Sequence, residues 1–280
     1  MMTGKTVVIT GATSGLGSVA ALRLAQLGAR LVLVARNMAK AEAMAQQLRD
    51  RHPGLEAGIQ IADLSSLAEI RKLAAELPRA APRIDVLINN AGAIFSRRET
   101  TLDGLERTFA LNHMAYFLLT TLLLDRLKAG APARIVNVAS EAHRNAALDF
   151  GDLQTARNYS GWLAYRRSKL ANILFTSELA RRLKGTNVTA NCLHPGFVAT
   201  SFGDNNGAPF RFALGLAKRF MAISPRHGGE TLVYAACAPE ISGLSGVYFD
   251  RNRPRAAASA ALDSEAAKRL WQASEQLGSL

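Results

Sequence analysis

KTVVITGATSGLGSVAALRLAQLG, residues 5–28, decides the fold. Lys5–Thr10 is a short β-branched apolar run, the pattern of a parallel strand buried on both faces. Glycines at positions 11, 15 and 17 follow at once, and Ser18–Leu27 then carries a helical pattern that stops at Gly28. A glycine turn between strand and helix lets backbone N–H groups approach a pyrophosphate at the helix N-terminus. The spacing is GxxxGxG rather than GxGxxG, and a plain turn is the alternative. Its position after a first strand favours the dinucleotide.

Working outward, Leu31–Ala35 is a second strand closed by Arg36. An acidic residue there would hydrogen-bond the ribose 2′-hydroxyl of NAD, whereas an arginine suits the 2′-phosphate of NADP, with Lys40 one helical turn on to add charge. An exposed strand end is the simpler alternative for Arg36; with the glycine turn beside it, NADP(H) is expected over NAD(H). A helix from Ala39 to Arg51 ends before Pro53, and Gly58–Ala62 is a third strand. Asp63-Leu64-Ser65-Ser66 reads as an N-cap for Leu67–Leu77, so Asp63 is either a cap or a contact to the adenine edge. Ile84–Ile88 runs into Asn89-Asn90-Ala91-Gly92, a turn or a floor beneath a cofactor. A helical pattern over Leu102–Lys128 holds Asn112, mildly unfavourable there, and His113, read as a packed histidine. Arg134–Ala139 is a strand ending at Ser140, Glu141–Ser160 is polar and turn-rich, and Asn187–Leu193 is a strand leading into His194-Pro195-Gly196. A helix over Arg226–Ala238 and a strand over Gly246–Asp250 follow.

Strands and helices alternate without a linker, which predicts an α/β fold over residues 1–280: one doubly wound, Rossmann-type domain, with a mostly parallel sheet of about seven strands and helices on both faces. Ligands on such sheets sit outside the carboxyl ends of the strands. The glycine turn, Arg36, Asp63, Asn89, Ser140 and the segment from His194 all fall there.

The composition, 49% hydrophobic and 20% charged, is that of an ordinary globular protein. Cys192 and Cys237 show no metal-ligand spacing and are expected as buried thiols in a reducing compartment. No signal-peptide pattern begins the chain, and no apolar run approaches the ~20 residues of a membrane span, so a cytoplasmic protein is expected. The net charge of +12 is scattered and not interleaved with aromatics; it fits an anionic small ligand better than nucleic acid.

Residues 161–184 are again helical, and Tyr165 and Lys169 share a face one turn apart. A cation beside a phenol favours the phenolate, making the pair a candidate acid/base device; a solvated face is the alternative. Thr10-Gly11-x-x-x-Gly15-x-Gly17, Asn89-Asn90-Ala91-Gly92, Ser140, Tyr165-x-x-x-Lys169 and Pro195-Gly196 occur in that order, and together they resemble the short-chain dehydrogenase/reductase family. Leu111–Thr120 and Tyr165–Phe175 look like its retinol-dehydrogenase branch, with relatives of the WW-domain oxidoreductase.

The resemblance implies catalysis by Asn112, Ser140, Tyr165 and Lys169, with Lys169 lowering the Tyr165 pKa and Asn112 holding a water. It implies a cofactor bed of Gly11, Thr13, Ser14, Gly15, Leu16, Gly17, Arg36, Asp63, Leu64, Asn89, Ala91, Gly92, Tyr165, Lys169, Pro195, Gly196, Val198 and Thr200, and no metal. The expected activity is hydride transfer between NADPH and a small carbonyl or alcohol, a lipophilic aldehyde or ketone held by loops at 141–160 and 197–225. Phe197, Phe202, Phe210 and Phe212 would suit such a substrate or simply pack a lid. A non-catalytic cofactor sensor of the same fold is the alternative. Pairing into a homodimer or homotetramer would run through the helices near 102–128 and 161–184.

Overall fold

β1 (Thr6–Thr10) is buried along its whole length and serves two layers at once. Val7 and Ile9 join one apolar cluster and Val8 the opposite one, which is why the run reads as continuously apolar rather than alternating. The computed structural model describes residues 1–196 and 225–280. From β1 the chain continues through α1 (Gly15–Gln26), β2 (Arg30–Ala35), α2 (Met38–Arg51), β3 (Ala57–Ile61), α3 (Leu67–Ala80) and β4 (Val86–Asn89). A long helix α4 follows, built of Arg107–Phe109, a π-helical turn Ala110–Met114 and Ala115–Ala129. β5 (Ala133–Val138), α5 (Gly161–Arg182), β6 (Val188–His194), α6 (Pro225–Cys237), β7 (Tyr248–Asp250), β8 (Arg253–Pro254) and α7 (Ser264–Gly278) complete it.

The strands form one sheet in the order β3-β2-β1-β4-β5-β6-β7-β8. Every neighbouring pair up to β7 is parallel, and the two-residue β8 adds an antiparallel edge beyond the strands the sequence predicts. α1, α2 and α6 cover one face through Leu24, Leu48 and Leu232. α3, α4, α5 and α7 cover the other through Ile70, Phe117, Phe175 and Trp271. This is a single α/β Rossmann-type domain. The strand order reverses between β1 and β4, and the crevice at their carboxyl ends is where such sheets bind ligands.

Two differences from the sequence-based expectation matter. The helix predicted from Leu102 starts at Arg107, because Thr100 and Glu106 form an isolated bridge and the Glu106 carboxylate accepts the backbone N–H groups of Thr108 and Phe109. In addition, α7 lies across α4 and α5: Trp271 packs edge-on against Phe117 and stacks near Phe175, and His113 meets Ser274 at 2.8 Å. Among the described residues no helix is long and apolar enough to cross a membrane.

Candidate active site

Glycine spacing shapes the first wall of the site. Gly11 and Gly15 adopt φ of +67° and +55°, the left-handed region that glycine enters without strain. Gly17 is needed for a different reason: a Cβ there would lie 2.2 Å from the Gly11 carbonyl oxygen, so it allows the turn to close rather than touching the cleft. Asn90 bolts this turn to β4, its amide donating to the carbonyls of Thr10 (2.8 Å) and Gly11 (3.2 Å). The Thr10 hydroxyl accepts the backbone N–H groups of Asn90 and Ala91 across the switch point.

Ser14 stands at the N-cap of α1 with no side-chain cap and no acidic residue in the first turn. Asn37, Ser66, Ser160 and Asp263 do cap α2, α3, α5 and α7. Leading N–H groups left open beside a glycine cradle fit a dinucleotide pyrophosphate.

An open cleft of about 620 Å³ runs from this turn along the strand ends. Gly11, Thr13, Ser14, Gly15, Leu16, Arg36, Asp63, Leu64, Ala91, Gly92, Ser140, Tyr165, Lys169, Pro195 and Gly196 all line it. Arg36 is exposed at the end of β2 and takes no ion pair among the described residues. Asp63 lines the cleft, and its Oδ1 accepts from the backbone N–H and hydroxyl of Ser65, whereas the cap of α3 is Ser66.

Asn89 requires correction. It is fully buried and donates to Thr120 Oγ1 and Asn137 Oδ1 at 2.9 and 2.8 Å, so its side chain ties sheet to helix and it is not among the residues that line the cleft. Its neighbour Asn90 is the residue that meets the turn. Val198 and Thr200, with Phe197, Phe202, Phe210 and Phe212, lie outside the described residues.

β5 delivers Ser140 and α5 delivers Tyr165 and Lys169 to one end of the cleft. Lys169 Nζ donates to the Val138 carbonyl at 2.9 Å and stands 5.7 Å from the Tyr165 ring centroid. Burial pushes the Tyr165 phenol up to about 12, and a hydrogen bond with the Ser140 side chain works the other way. Burial also lowers Lys169 to about 7. Burial is the larger of the two influences on the phenol. Tyr165 is held as the neutral acid.

Asn112 lies beneath the cleft, fully buried on the π-helical turn. Its Oδ1 accepts the Ala93 N–H at 2.9 Å, and its Nδ2 donates to the Ala93 carbonyl and to Ser168 Oγ. Ser168 is fully buried and donates to the Tyr165 carbonyl at 2.8 Å, joining Asn112 to the turn of α5 that carries the tyrosine. His113 is a core residue, lowered to about 3 by burial and kept neutral.

Residues 141–160 do not line the cleft, contrary to expectation; they brace it from behind. Tyr159 donates to the Phe95 carbonyl at 2.8 Å, and Gln154 accepts the Glu106 N–H. The wall beside Tyr165 is instead Phe95, Leu111, Arg107 and Trp162. Arg107 lies over the Phe95 ring and pairs with Glu99, while Trp162 stacks on Tyr165 at 5.7 Å and 24°. Trp162 could have been found from the sequence, standing three residues before Tyr165 on the same helical face. Arg107 and Phe95 carry no such local signal. Among the described residues no cluster of His, Cys, Asp or Glu could hold a metal ion.

Residues 5–209 match the family model described as short chain dehydrogenase. Mouse retinol dehydrogenase 14 is 43% identical over 287 residues, spanning 98% of this chain and 86% of that protein. A crystal structure of a Mycobacterium paratuberculosis protein superposes with a TM-score of 0.80 at 34% identity, over 99% of this chain and 94% of that one. A blue fluorescent protein from a metagenomic library, in complex with NADPH, gives a TM-score of 0.71 at 26% identity, over 89% and 96% of the two chains.

Proposed function

The chain belongs to the short-chain dehydrogenase/reductase family, in its retinol-dehydrogenase-like branch, and is an oxidoreductase acting on alcohol and carbonyl groups; from that premise we propose that it is an NADPH-dependent reductase of apolar aldehydes or ketones. The observation that carries this reading is the convergence of Ser140, Tyr165 and Lys169 on one cleft that continues into an uncapped glycine turn with Arg36 at its far end.

When bound, NADPH supplies the hydride for the carbonyl carbon. Gly11 to Leu16 would hold its phosphates, Arg36 its 2′-phosphate and Asp63 and Leu64 its adenine, with Ala91, Gly92, Pro195 and Gly196 as the floor. Tyr165, protonated at neutral pH, gives its proton to the oxygen of the substrate. The Ser140 hydroxyl donates a hydrogen bond to the same oxygen, stabilising charge as it develops. Lys169 would hold the nicotinamide ribose, and Asn112, through Ala93 and Ser168, fixes the floor and the tyrosine's turn of helix. Phe95, Leu111 and Trp162 offer an apolar wall, supporting a lipophilic substrate. The relative crystallised with NADPH supports the choice of cofactor. A cytoplasmic setting belongs to the same proposal, supported by free thiols at Cys192 and Cys237.

NADPH and NADH oxidation measured across a panel of aldehydes, ketones and alcohols tests this. NADPH is expected to be the better donor. Arg36→Ala should weaken NADPH by about ten- to a hundredfold, the worth of a charge-assisted phosphate contact, and leave NADH unchanged. Equal use of both cofactors, insensitive to Arg36→Ala, contradicts it.

A further inference from the structure

His143 is fully buried three residues beyond Ser140, and both of its ring nitrogens are engaged. Nδ1 lies 2.7 Å from the Ser140 carbonyl oxygen, and Nε2 lies 3.1 Å from the backbone nitrogen of Ala258 in the C-terminal segment. A backbone N–H can only donate, so Nε2 must carry the lone pair. The proton therefore sits on Nδ1 and is donated to Ser140. The imidazole is locked neutral in a single tautomer. The same carbonyl also accepts the His143 backbone N–H at 3.1 Å, so two bonds from one residue fix the peptide that follows the serine. Tyr248 of β7 packs edge-on against the ring at 5.1 Å.

We propose that His143 is the positioning residue of the site: it sets the Ser140 hydroxyl against Tyr165 by clamping the serine's own carbonyl to the segment after β8. The inference rests on the role assigned to Ser140 above. Two further ties make the clamp stiff. Arg144 donates to the Ala256 carbonyl at 2.8 Å, and Glu141 accepts from Tyr248 at 3.2 Å and pairs with Arg144 and Arg255. The C-terminal segment thereby acts on the oxygen-binding end of the cleft without lining it.

Protonation would turn Nε2 into a donor facing the Ala258 N–H, and the clamp would open at that end. The charged and titratable groups facing the ring among the described residues are Glu141 and Arg144 on its own segment, Arg255 after β8, His194 of β6 and Tyr248 of β7. Burial holds the imidazole below its ordinary value; the Ser140 carbonyl and Glu141 raise it, and Arg144 and Arg255 lower it. The clamped form is therefore present at neutral pH and lost only on the acid side.

The test compares His143→Leu, which fills space without a donor, with His143→Asn, whose amide places a donor at the Nδ1 position. Carbonyl reduction and NADPH binding are measured on the full chain. His143→Leu should lower kcat about tenfold, as a small displacement of a reacting group does, with NADPH affinity within about twofold. His143→Asn should recover most of that loss. A His143→Leu enzyme as fast as wild type, or an Asn variant as slow as Leu, overturns the proposal. If His143→Leu does not fold, the pH profile decides: the acid limb of kcat should be present in wild type and missing in His143→Asn, and an unchanged limb overturns it. Ser140→Ala separates the two levels. A dead Ser140→Ala beside a fast His143→Leu sinks the positioning role alone, whereas a fast Ser140→Ala removes the serine's role and the clamp together.

Discussion

Lys169 is only 3% exposed, and it bonds a carbonyl that is satisfied without it, since Asn172 Nδ2 also donates to Val138 O at 3.2 Å. Its folded pKa of about 7 lies below the unfolded value near ~10.4, so the unfolded chain binds more protons through the interval between them. The penalty is complete below the folded value, shrinks as pH rises from 7 and vanishes above about 10.4. Lys169→Met should therefore raise the melting temperature at pH 7, with an upper bound of about 4 kcal/mol from the shift, while abolishing carbonyl reduction. Melting curves at pH 7 and pH 10 check it: the variant's advantage is expected to narrow at the higher pH. On the proposed function, this burial cost falls at the site of chemistry, where such costs collect. That cost was not readable from the sequence. Tyr165 and Lys169 on one helical face predict mutual charge effects, but the burial that dominates both depends on the sheet, α4 and the cleft floor.

At the scale of elements, the glycine turn was legible because its geometry is local. A strand, three spaced glycines and a helix start specify a phosphate-sized cradle from neighbouring residues alone. The distinction between Asn89 and Asn90 was not, because side chains alternate sides and only the end of β4 settles which asparagine meets the turn. The bracing role of 141–160 was hidden for another reason: its partners, Phe95, Glu106 and the segment near Ala258, are distant in sequence. Gly17 is the sharpest case of element-level necessity, since the atom in the way is backbone oxygen and cannot swing aside. Gly17→Ala should cost about 2–3 kcal/mol by overpacking and weaken NADPH binding, read by thermal melting and cofactor titration. Wild-type values for both would show that the β1–α1 turn tolerates a wider opening than the structure gives it.

For the molecule as a whole, the alternation of strands and helices predicted the doubly wound sheet, and the sheet in turn explains why residues from 11 to 196 share one cleft: each lies at a carboxyl strand end or on the helix beside it. The C-terminal part was least legible. A terminal helix could be expected from its pattern, but not that α7 would cover α4 and α5, nor that the segment before it would reach Ser140 through His143. The chain thus gathers Ser140, Tyr165, Lys169 and the glycine turn along one cleft at the switch point of the sheet. The most direct test is Tyr165→Phe, which keeps the ring stacked on Trp162 and removes only the transferable proton. Carbonyl reduction by NADPH should fall by about 10²- to 10⁴-fold, the usual worth of a positioned general acid, with NADPH binding and melting temperature near wild type; undiminished turnover in Tyr165→Phe would contradict the assignment.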